Sequence, residues 1–104
     1  MKLAEEVGRQ VKTEGLTTSQ IRNIYGMVKK MEMRQGMSDW HHELVMLKPK
    51  MAYAAARATG KGAKTLAHVL STAIDAVGED REMFKRFVDL FEAILAYHKA
   101  AGGK

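Results

Sequence analysis

From Asp80 to Lys99 the apolar residues hold one helical period for four turns: Phe84, Phe87, Val88, Phe91, Ile94 and Leu95, closing on His98. Met83, Leu90 and Tyr97 widen that stripe. A helix with so broad an apolar surface must be covered on more than one side, by the rest of its own chain or partly by another subunit. Asp80 is placed to cap it. A chain of 104 residues built round such a helix is one domain, 1–104, with a modest core.

The preceding segments repeat the same period. Leu3, Val7 and Val11 recur every four residues in 2–14, and Gly15 ends that helix. Thr17 followed three residues later by Gln20 has the form of a capping box, and Ile21, Ile24, Tyr25 and Val28 predict a second helix over about 18–35. Ser38 or Asp39 caps a third segment carrying Trp40, Leu44 and Leu47. Pro49 fits best at a first helical position, so residues 39–59 read as one kinked helix or two. Leu66, Val69, Leu70, Ala73, Ile74 and Val77 give a fourth helix ended by Gly78, and the final AGGK reads as a frayed tail. With no strand pattern, internal repeat or low-complexity run, the fold class is all-α, a compact bundle of about five helices.

Charge is unevenly spread. Residues 1–43 carry seven Lys/Arg against six Asp/Glu, residues 44–74 five against none, and residues 75–104 five against six. The whole formal excess of +5 therefore sits in the middle of the chain, and it favours an anionic partner, nucleic acid first. If residues 49–58 are helical, Lys50, Tyr53 and Arg57 share one face while Met51, Ala54 and Ala58 form a neighbouring apolar stripe. Gly60 and Gly62 then stop the helix and leave Lys61 and Lys64 in a mobile, exposed loop or at the next helix start. On the second helix Arg22, Gly26 and Lys29 make one polar stripe, and Asn23, Lys30 and Arg34 the next. Gly26, mid-helix, costs about 1 kcal/mol relative to alanine, so it is either tolerated or approached by a neighbour, a helix before a ligand.

Other chemistry is thin. The chain has no cysteine, hence no disulfide framework or thiolate site. His41, His42, His68 and His98 include no pair at the i, i+4 spacing of a helical zinc site, and no metal or cofactor is expected. GKGAKT at 60–65 lacks the spacing and ending of a phosphate-binding loop. Eight methionines, clustered before and within the third segment, fill core or offer an adaptable protein contact. No nucleophile, base and orienting group stand together, so catalysis has no visible candidate. The N-terminal MKLAEEVGRQ has glutamates where a signal peptide needs an apolar stretch, and the longest apolar run, Met51 to Ala56, is far too short to span a bilayer. A soluble, cytoplasmic protein without membrane contact is expected.

Three segments in this order and spacing, TTSQIRNIYGMV at 17–28, LKPKMAYAAAR at 47–57 and FEAILAYHK at 91–99, resemble the small subunit of type III-A CRISPR effector complexes, the Csm small-subunit family. The resemblance runs from Leu16 to Lys99. It implies an all-helical, non-catalytic protein of antiviral defence whose copies stack beside the backbone filament holding the guide RNA and help line the groove for target RNA. Target cleavage would belong to the backbone subunit, and DNA cleavage and cyclic oligoadenylate synthesis to the large one. Carried onto this chain, the family's TSxIR segment points to Arg22, and its basic segment to Lys48, Lys50, Tyr53 and Arg57. With Lys29, Lys61 and Lys64 these are the expected RNA-binding residues. Tyr53 would stack on a base or sugar, or simply edge the core.

The implied partners are CRISPR backbone and large subunits, guide RNA, target RNA and further copies of this chain, stacked or dimeric. Because base pairing reads the sequence, the subunit needs affinity for phosphates without sequence preference. The alternative is a helix-turn-helix DNA-binding regulator, with Gly15 in the turn and Thr17, Thr18, Ser19 and Gln20 reaching base edges. A pure protein-interaction bundle ranks third and an enzyme fourth.

Overall fold

Each helix begins or ends where the sequence supplies partners for the backbone groups that a helix leaves open. The computed structural model describes residues 2–33 and 39–103. Within them lie α1 (Lys2–Thr13), α2 (Thr18–Met33), α3 (Trp40–Arg57), α4 (Gly62–Val77) and α5 (Arg81–Ala100). At the start of α2 the Thr17 N–H donates to Gln20 Oε1 at 2.8 Å and the Gln20 N–H to Thr17 Oγ1 at 3.2 Å, a closed capping box. Asp39 caps α3, accepting from the His42 N–H at 3.2 Å, and Asp80 caps α5, accepting from the Glu82 N–H at 2.9 Å. Arg34, Gln35, Met37 and the alternative cap Ser38 lie outside the described residues.

Several boundaries differ from those the sequence suggests. Pro49 starts no helix: it is the tenth residue of an α3 that runs unbroken from Trp40 to Arg57. Proline removes the hydrogen bond to the carbonyl of Val45. Val45 and Pro49 are both exposed, so that carbonyl is left where water can serve it. Nor is the tail frayed, as far as Gly103. Gly102 takes φ +96°, its N–H donates to the Lys99 carbonyl and the Gly103 N–H to the His98 carbonyl, both at 3.0 Å, which is a Schellman cap. Of the two places the sequence allows for Lys61 and Lys64, they stand at the next helix start, where Gly60 and Gly62 pack against the α1–α2 turn. A Cβ on Gly62 would come within 2.7 Å of Leu16 Cβ, and the Thr65 hydroxyl donates to Glu14 Oε1 at 2.6 Å. Thus α4 starts four residues earlier than Leu66.

The broad stripe of α5 is covered within the chain. α1 packs along it most extensively, α2 and α4 flank it, and α3 lies across α4 and α2. Phe84, Phe87, Val88, Phe91, Ile94 and His98 are all buried. Trp40, from the first turn of α3, stacks on Phe84 with centroids 4.9 Å apart, and Tyr25 meets Phe91 edge-on at 5.3 Å. On α1 the buried stripe is Ala4, Val7, Gly8 and Val11, whereas Leu3 points outward, 56 % exposed. Gly8 is where α1 and α5 meet: an added Cβ would stand 2.8 Å from Tyr97 Cβ and 2.9 Å from the His98 nitrogen. Gly26, the expected close-approach glycine, faces open space instead. The result is an all-α bundle with a radius of gyration of 12.9 Å, as a compact domain of this length should have.

Candidate nucleic-acid interface

Two stripes divide α3. Trp40, Leu44, Leu47, Met51 and Ala55 face the core, and Met46, Pro49, Lys50, Tyr53, Ala54 and Arg57 run along the opposite side at i, i+3, i+4, i+7, i+8 and i+11. Ala54 therefore belongs to the outer stripe rather than to the buried one with Met51, where Ala55 takes its place. Beside the outer stripe α2 sets Asn23 and Met27, one turn apart, and an open groove of about 600 Å³ lies between them. Its floor is apolar, from Met27, Met46, Pro49 and Ala54. Asn23, Lys50, Tyr53 and Arg57 stand round it.

Tyr53 does not edge the core. It is 64 % exposed, and Arg57 one turn on holds it: the guanidinium carbon is 5.6 Å from the ring centroid and Nη1 donates to the phenol oxygen at 3.2 Å. The groove continues into a second hollow of about 310 Å³, lined by Met27, Lys30, Met31, Glu43 and Lys50, with Met27 and Lys50 common to both. Arg22 lines a third, with Ser19, Gln20 and Asn23, so Asn23 links the two outer faces of α2.

The eight residues expected to meet RNA thus separate. Lys50, Tyr53 and Arg57 share one groove and Arg22 adjoins it. Lys48 is turned to the other side of α3, where it forms an ion pair with Asp75 of α4. Lys29 is bonded to Glu32 at 2.6 Å, and that hydrogen bond raises its pKa above the ordinary lysine range. Lys61 and Lys64 are exposed at the start of α4, Lys61 as its N-cap, and line neither hollow beside Lys50. The residues missed are the uncharged ones, Asn23, Met27, Met46, Pro49 and Ala54. The signal for the three on α3 was the continuous 46–49–50–53–54–57 spacing, which a search for cations alone passes over; nothing in that helix points to Asn23 and Met27.

Other candidate chemistry is spent on structure. Thr17 and Gln20 close the capping box, which occupies two of the four side chains a helix-turn-helix would offer to bases; Ser19 stays exposed. His98, wholly buried at the end of the α5 stripe, donates from Nε2 to the Leu16 carbonyl at 2.6 Å, which fixes the proton on that nitrogen. The Nδ1 of His41 is 2.7 Å from the Gly78 carbonyl and donates to it, at the end of α4. Among the described residues no three of His, Asp and Glu gather as metal ligands would. The Tyr25 phenol has its pKa raised, by burial first and by Glu92 second, and acts as a core residue rather than an acid.

The groove is thus an apolar trough with a guanidinium-braced aromatic ring and a lysine on its rim, these three drawn from the acid-free part of the chain and the facing Asn23 and Met27 from α2. The family model described as Csm2 Type III-A matches residues 1–104. No curated protein and no solved structure matches the chain.

Proposed function

Since the chain belongs to the Csm2 Type III-A family, small subunits of the type III-A CRISPR complex, we propose that it is a non-catalytic subunit that binds the guide–target RNA path through the outer face of α3. The observation that carries this reading is the grouping of Lys50 and Arg57 on one exposed stripe, one turn either side of Tyr53, in a segment without acids. Cations so placed neutralise phosphates and read no base, as suits a subunit lining a path whose sequence is read by pairing. Copies stack along the filament with the other Csm subunits, in the cytoplasm, and cleavage is left to those subunits. No helix of the described residues is long and apolar enough to cross a membrane. Since the α5 stripe is covered by its own chain, stacking falls to exposed apolar residues such as Met33 on α2 and Val45 on α3.

Fluorescence anisotropy with single-stranded RNA at three salt concentrations tests the proposal. Reversing Lys50 and Arg57 to Glu should lower affinity at least ten-fold and flatten the slope of log affinity against log salt by about 0.7 for each lost contact. Lys85 and Arg86, exposed on α5, make the matched control with the same change in net charge. Equal losses from both double variants would reduce the attraction to net charge and sink the proposal. A marked preference for one duplex DNA sequence would do the same.

A further inference from the structure

The groove has more in it than a phosphate track needs. Cations alone would serve for phosphates, and an exposed helix position is filled most cheaply by a small or charged residue. Here a tyrosine stands 64 % exposed in mid-helix, with its ring held by Arg57. The same groove is lined by two thioethers, Met27 of α2 and Met46 two turns before Tyr53, whose sulfurs are polarizable partners for an aromatic face. Ala54, next to Tyr53 in the lining, has too small a side chain to fill the groove. Asn23 offers both a donor pair and an acceptor at the edge, enough to meet the polar rim of any flat heterocycle.

We propose that this α2–α3 groove is a base-accepting site: one unstacked nucleobase of a single-stranded RNA lies against Tyr53 and over Met27 and Met46, while Lys50 and Arg57 hold the phosphates on either side. The proposal rests on the phosphate-binding reading above and adds a planar ligand to it. Charge complementarity selects the occupant. Lys50 and Arg57 stand about 10 Å apart along the helix, the rise of seven residues, with Tyr53 and Ala54 between them, and residues 44–74 hold no acid to repel an anion. A nucleotide joins a flat apolar ring to a phosphate within that reach. An amphipathic protein helix would instead need uninterrupted apolar anchors over several turns, whereas on α3 this lining is interrupted by Lys50 and ended by Arg57. The groove, about 600 Å³ and open to solvent, has room for a planar base laid against one side while the rest of the strand stays outside. Asn23 can serve as donor or acceptor, so the site prefers no single base strongly.

Two variants separate the base from the phosphates. Tyr53→Ala removes the stacking face, and Ala54→Leu fills the trough; both positions are exposed on a helix, and neither change alters charge. The probes are a single-stranded RNA carrying one 2-aminopurine and an abasic sugar-phosphate oligomer of the same length. The wild-type chain should bind the RNA more tightly than the abasic oligomer and change the 2-aminopurine fluorescence. Each variant should lose about five-fold or more of RNA affinity, the range that one stacked base supports. Each should lose the fluorescence change while keeping the wild-type salt slope. If wild type binds both oligomers equally and Tyr53→Ala changes nothing, while Lys50/Arg57 reversal still flattens the slope, the base site falls and the phosphate reading survives. If that reversal also has no effect, both fall. If Tyr53→Ala and Ala54→Leu bind RNA as wild type does but no longer join the other type III-A subunits, a protein segment occupies the groove and the proposal is overturned.

Discussion

The α1–α5 side of the molecule and the α2–α3 face each hold a glycine in the middle of a helix, and the two could not be more unlike. Around Gly8 backbone meets backbone, with the Ile94 carbonyl, the His98 nitrogen and Tyr97 Cβ all within 2.9 Å of where a methyl would stand. Around Gly26 nothing lies within 4 Å. The first side is where the fold is determined: His98 reaches Leu16 across 82 positions of sequence, the Schellman turn closes over its ring, and Glu14 ties α4 to the α1–α2 turn. The second side carries Met27 and Met46, the braced tyrosine and the open groove. A helix pair that is packed without slack can leave the opposite face free of structural duty, and that free face is where the groove lies.

Breaking the packed side should have the largest effect. Gly8→Val puts three carbons, Cβ and two methyls, where only backbone and a Cβ atom could yield, so we expect a loss of about 3 kcal/mol or more in urea unfolding. His98→Phe keeps the ring's bulk and removes the only described donor to the buried Leu16 carbonyl. It should cost about 2 kcal/mol, seen as a lower urea midpoint with unchanged slope. Either variant behaving like wild type would mean that this crossing is not what holds the bundle.

These two sides were unequally legible in the sequence. Periodicity exposed the helices, because Ile21, Ile24 and Val28 or Phe84, Phe87 and Phe91 recur on one face whatever they pack against. Caps were legible for the same local reason, Thr17 with Gln20 and Asp80 with its own first turn. What failed needed knowledge of a neighbour. Leu3 and Ala4 are adjacent and only the position of α5 decides which is buried; Gly8 and Gly26 are both mid-helix glycines until α5 is laid across one of them. Lys48 looked as free as Lys50 because Asp75 is 27 residues away. The groove was half legible: the Lys50–Tyr53–Arg57 spacing was plain within one helix, but Asn23 and Met27 come from another.

A smaller effect of opposite sign sharpens the contrast. Gly26→Ala adds a methyl into open space on a helix and removes backbone freedom from the unfolded chain. It should stabilise the protein by about 0.5–1 kcal/mol in the same urea experiment. A destabilisation of similar size would show that something does approach α2 there.

The smallest expected change in stability belongs to Tyr53→Ala, and it bears most directly on function. The ring is mostly in water and touches Arg57 one turn along the same helix, so its loss forfeits an exposed cation–π contact worth about 0.5–1 kcal/mol. Alanine returns a comparable amount by its higher helix propensity. The two nearly cancel, and the urea midpoint should stay within about 0.5 kcal/mol of wild type. A residue with no measurable part in folding that still lowers RNA affinity is being used for binding alone. A loss of several kcal/mol would instead place Tyr53 among the packing residues and shift the α2–α3 face towards the behaviour of the α1–α5 side.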